Sequence, residues 1–70
     1  MNKKELKAQM VRMGKSADEL CAAIGISRSA WFRKVSGESE FTQGEITGLR
    51  SELNLDDRMT GIIFFSGTVS

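Results

Sequence analysis

Seventy residues, 40% of them apolar, have room for one small domain whose core supplies only about 3 to 5 kcal/mol of net stability. With no His, no Tyr and a single Cys, the chain excludes a Cys–His nucleophile pair, an internal disulfide framework and a zinc site, so neither catalysis nor a cofactor is expected. The net charge of +1 conceals an imbalance: residues 1–37 hold eight Lys and Arg against three acids, a balance of +5, and residues 38–70 hold two against six, a balance of −4. Either the basic half meets a polyanion, or the two halves simply present solvated helix faces of opposite sign.

Residues 2–13 lack Gly and Pro and place Leu6, Met10 and Met13 on one stripe, with Lys3, Lys4, Lys7 and Arg12 on the wet side. Asn2 caps this first helix with Glu5 three residues on, and Gly14 stops it. Ser16 and Glu19 form an S-x-x-E capping box, so a second helix runs from there to about Ala23 with Leu20, Cys21 and Ile24 inward. Gly25 allows a sharp stop, Ile26 fills the corner, and Ser27 caps a third helix from Arg28 to about Ser36. In that helix Trp31 and Val35 face inward, leaving Arg28, Ser29, Phe32 and Arg33 outward. Cys21 is expected to be a packed thiol rather than a reactive one.

Glu38-Ser39-Glu40 reads as a polar loop. Phe41 then forms a hydrophobic staple with Ile46 around the box Thr42–Glu45, which starts a fourth helix that buries Ile46, Leu49 and Leu53. Gly44 and Gly48 inside it each cost about 0.5 to 1 kcal/mol relative to alanine. Close helix packing at Gly48 is one account of them, tolerance of a small instability the other. A last element begins near Asp56 and covers Asp57 to about Phe64, as a helix or, over GIIFFS, as a strand. The whole reads as a single all-α domain of five helices spanning residues 1–70. No apolar leader and no 18-residue apolar run occur, so neither export nor a membrane span is expected and a reducing cytosol is the expected compartment.

The segment LCAAIGISRSAWFRKVSG from Leu20 to Gly37, followed by SEFT from Ser39 to Thr42, resembles the small helix-turn-helix regulators of the phage-repressor group, the Cro and XRE type. The likeness extends from Leu6 to Phe65, particularly to versions from phages and prophages of Gram-positive bacteria. It implies a lambda-repressor-like fold with the helix-turn-helix at helices 2 and 3, and a transcriptional regulator, most simply a repressor, bound to double-stranded DNA. By that resemblance Ser27, Arg28, Ser29, Phe32 and Arg33 read base edges, since Arg bridges guanine O6 and N7 and Phe lies on a thymine methyl. Phosphate contacts fall to Lys15, Ser16, Lys34 and Gln43. Arg28 and Arg33 instead touch phosphate, and Phe32 instead packs on a loop, in the blander version of the same reading. The chain departs from the family pattern at Ala17, where many relatives have Gln, and at Glu38, where many have Lys.

The apolar run Ile62, Ile63, Phe64 and Phe65 is a homodimer contact that spaces two reading helices, or else Ile62 and Phe65 simply close the bottom of the core. Neither a small-molecule effector nor a membrane partner is expected. A second functional reading keeps the fold as a protein-interaction module that has lost DNA binding, favoured by the acidic loop and the low net charge.

Overall fold

Five polar side chains, one standing just before each helix, set where the helices of this chain begin. The computed structural model describes residues 1–65 and is helical in every regular element, with no strand among the described residues. The helices are α1 (Lys3–Met13), α2 (Ala17–Ile24), α3 (Arg28–Val35), α4 (Gln43–Leu53) and α5 (Asp57–Thr60), the last running into a π-helical segment at Gly61–Phe65. Asn2, Ser16, Ser27, Thr42 and Asp56 are the N-caps, each accepting a backbone N–H three residues on. At Ser16 and Thr42 the reciprocal bond from the Glu at the third helical position is present as well, so these two boxes are closed on both sides.

The core gathers Leu6, Leu20, Cys21, Trp31, Leu49, Leu53, Leu55, Ile63 and Phe64. Its aromatic side is a chain of edge-to-face contacts: Trp31 to Phe41 and Phe41 to Phe64, with ring centroids 5.7 Å apart in each case. Phe41 thus does more than staple the start of α4, because it joins α3 to the final segment. Met13, expected on the inward stripe of α1, is instead an exposed side chain.

The last element is helical, which resolves the helix-or-strand ambiguity; Ser66, part of the strand alternative, lies outside the described residues. Its apolar run matches no α period because the wider i→i+5 turn advances less around the axis per residue, letting Ile63 and Phe64 share the core face. The Ile63 carbonyl accepts the Asn2 N–H at 2.6 Å, and Gln9 Nε2 donates to the Leu53 carbonyl at 2.9 Å. These bonds fasten α1 to the final segment and to the end of α4.

α4 packs directly on α2. A methyl on Gly48 would lie 2.8 Å from Ile24 Cγ2, whereas one on Gly44 would meet nothing within 4 Å. Of the two accounts of these glycines, close packing therefore holds for Gly48 and explains nothing about Gly44. The packing of α2 on α4 fixes where α2 delivers the chain into the next turn.

Candidate nucleic-acid interface

The connection from α2 to α3 is three residues long. Gly25 adopts the left-handed conformation at φ 72° and its N–H donates to the Cys21 carbonyl, which also takes the Ile26 N–H at 3.0 Å. A side chain at Gly25 would be strained by backbone conformation alone. Ser27 then turns the chain into α3: its Oγ accepts the Ala30 N–H at 3.1 Å and its carbonyl the Trp31 N–H at 2.9 Å. The Cys21 thiol donates weakly to the same Ser27 carbonyl at 3.9 Å. Burial pushes this thiol above its ordinary pKa; the nearby Arg28 charge works against that rise and Asp18 adds to it. Cys21 accordingly sits in the helix contact as a neutral packing residue.

With Trp31 buried on one side of α3, the opposite side is left to solvent. Ser27, Arg28, Ser29, Phe32 and Arg33 are all exposed, and Phe32 is 58% exposed despite being aromatic. The residues form two rows one turn long, Arg28 with Phe32 and Ser29 with Arg33. Arg28 lies over the Phe32 ring, its Cζ 5.1 Å from the centroid, and is ion-paired to Asp18 of α2. Arg33 has no ion pair among the described residues. Phe32 lies open beside Arg28 rather than buried under a loop.

The expected phosphate contacts are divided. Ser16 and Gln43 are exposed at the starts of α2 and α4, the Ser16 hydroxyl already accepting the Glu19 N–H. Lys15 reaches Glu52 at 3.5 Å in a half-buried pair. The expectation for Lys34 is corrected. Its ammonium turns back into the protein, 2.8 Å from Glu45 Oε1, in a pair whose side chains are only 14% and 15% exposed. It also donates to the Glu40 carbonyl at 3.2 Å and lies 5.8 Å from the Phe41 ring centroid. The hydrogen bond from Lys34, aided by the Thr42 N–H, holds the Glu45 carboxyl below its ordinary range. Lys34 is thus a clamp between α3 and the cap of α4.

The expected dimer contact is corrected in part. Ile63 and Phe64 belong to the core of the single chain and are not available to a second copy, because their side chains fill the space beside Leu6 and Phe41. Phe65 is 50% exposed, at the edge of a groove of about 320 Å³ that Met1, Phe41, Ile46 and Phe64 help to line. Ile62 is half-buried.

Asp18 is the residue that the sequence does not reveal. Ten positions separate it from Arg28, and only the angle between α2 and α3 brings the two together. Among the described residues, no group of three or more His, Cys, Asp or Glu side chains is gathered to hold a metal ion, and no helix is long and apolar enough to cross a membrane. Comparison of the chain with protein-family models, with curated proteins and with solved structures found no match.

Proposed function

We propose that this protein is a sequence-specific regulator of the phage-repressor type that binds double-stranded DNA, with α2 and α3 acting as a helix-turn-helix and α3 entering the major groove. The observation that carries the reading is the outer face of α3, where two arginines, two serines and an aromatic ring stand in the open on the side away from Trp31. A helix about 10 to 12 Å across matches a groove about 12 Å wide, and Arg, Ser and Phe are the side chains that address guanine edges and thymine methyls. The half-buried Lys15–Glu52 contact is long at 3.5 Å, so the Lys15 ammonium is exchangeable for phosphate, while Arg28, ion-paired to Asp18 through one nitrogen, keeps other donors for DNA. Ser16 and Gln43 supply further phosphate donors at helix starts. If two copies act together on adjacent half-sites, Ile62 and Phe65 are what the apolar run has left to offer.

Titration of a randomised duplex library at low and moderate salt tests the proposal. Binding should select a site and weaken steeply with salt. Arg28→Ala or Arg33→Ala should lower preference for the selected site by about 1 to 3 kcal/mol, and Lys15→Ala should weaken all sequences alike. Unselective or salt-insensitive binding refutes it. The second reading, a protein-interaction module, draws on the withdrawal of Lys34 into its clamp and on exposed Glu38 and Glu40 just beyond α3. It predicts a protein partner seated on Phe32 and no site selection on DNA.

A further inference from the structure

Arg28 is restrained twice, although it is exposed. Its Nη1 is ion-paired to Asp18 Oδ1, contributed by the first turn of α2. Its Cζ also lies 5.1 Å from the centroid of the Phe32 ring, one turn along its own helix. The guanidinium is a planar fork with five donors, so the contact at Nη1 and the ring beneath Cζ restrict how it turns and still leave the Nε and Nη2 hydrogens for another acceptor. Two parallel donors of that kind match N7 and O6 of a guanine.

We infer that Asp18 is a positioning residue for Arg28, holding the guanidinium over Phe32 so that its remaining donors present to a base edge in one orientation. This rests on the reading of α3 as the DNA-facing helix and adds to it a residue outside that helix. Freezing a free arginine on binding lowers affinity by about threefold to tenfold, a loss that prior restraint avoids. The same carboxylate repels phosphate on every sequence. Asp18 therefore lowers general affinity and raises selectivity. Its side chain is 73% exposed and Arg28's is 48% exposed, so substitutions at this pair leave the core in place.

The experiment measures wild type, Asp18→Ala and Asp18→Asn, each also in an Arg28→Ala background, against the best duplex from the library and a scrambled duplex across a salt series. Asp18→Ala should cut the ratio of selected to scrambled affinity by about threefold to tenfold. It should also tighten binding to the scrambled duplex and steepen the log–log salt slope by about 0.9. Asp18→Asn, which retains a carbonyl acceptor for Nη1 without the charge, should keep most of the selectivity while steepening the slope. In the Arg28→Ala background Asp18→Ala should leave the ratio unchanged. Full selectivity in Asp18→Ala, or the same loss of selectivity with and without Arg28, overturns the inference while leaving the DNA-binding reading intact. Wild-type protein that fails to separate selected from scrambled duplex overturns that reading itself, and the inference with it.

Discussion

Alanine at Gly48 and alanine at Gly44 add the same methyl to the same helix, and the structure predicts opposite results. Each replacement removes a glycine from a helix, which by itself stabilises by about 0.5 to 1 kcal/mol. At Gly44 nothing lies within 4 Å, so that gain is expected in full, raising the melting temperature by roughly 2 to 8 °C for a domain of this size. At Gly48 the new methyl starts 2.8 Å from Ile24 Cγ2. Carbon atoms rest at about 3.5 to 4.0 Å, so α2 and α4 must separate or Ile24 must leave its rotamer. Overpacking of this kind costs about 1 to 3 kcal/mol, which cancels or exceeds the propensity gain. Because the propensity gain is common to both variants, the two alanines should differ by about 1 to 3 kcal/mol, read as midpoint differences in urea denaturation. A second substitution identifies the offending atom. Ile24→Leu moves the branch away from Cβ and removes Cγ2, so it should relieve Gly48→Ala; Ile24→Val keeps Cγ2 and should not. Equal stabilisation by both alanines, or equal relief by Leu and Val, would refute the packing argument.

The Lys34–Glu45 clamp gives a pH dependence of definite sign. A carboxyl held below its ordinary pKa of 4.5 contributes stability that is present above that value and lost as pH falls through the lowered folded value. Glu45→Gln should therefore be less stable than wild type at neutral pH, by about 1 to 3 kcal/mol, with the two denaturation midpoints converging in acid. Midpoints that stay parallel from neutral pH into acid would contradict it. At Cys21, burial and the raised pKa should make alkylation of the folded protein slower by at least about a hundredfold than in urea, because the thiol must wait for the chain to open. Mass spectrometry of iodoacetamide adducts measures it, and equal rates in both conditions would show an open thiol.

Local chemistry was legible where a rule is local. The caps at Asn2, Ser16, Ser27 and Thr42 and the stops at Gly14 and Gly25 depend on residues within a few positions of one another, so the sequence displays them directly. The outward set on α3 followed from Trp31 occupying the inward side. What sequence did not show depends on distance between elements. Asp18 meets Arg28 and Lys34 meets Glu45 across helix junctions, and no spacing rule contains those encounters. Leu55 joins the core from the short connection after α4, where there is no period to expose it. The π-helical turn defeated an assignment based on a period of 3.6 or 2 residues, so the fates of Ile63 and Phe64 required coordinates. Gly48 differed from Gly44 only through Ile24, a neighbour 24 positions earlier in the chain.

The clamp that draws Lys34 inward has a mechanical corollary. One end of α3 is stitched to α2 through Ser27 and Asp18, and the other to the start of α4 through Glu45. A bar held at both ends swivels less than one held at neither. Whatever docks on its outer face starts from the pitch those two ends set, so more of any mismatch in curvature falls to the visitor's own bending.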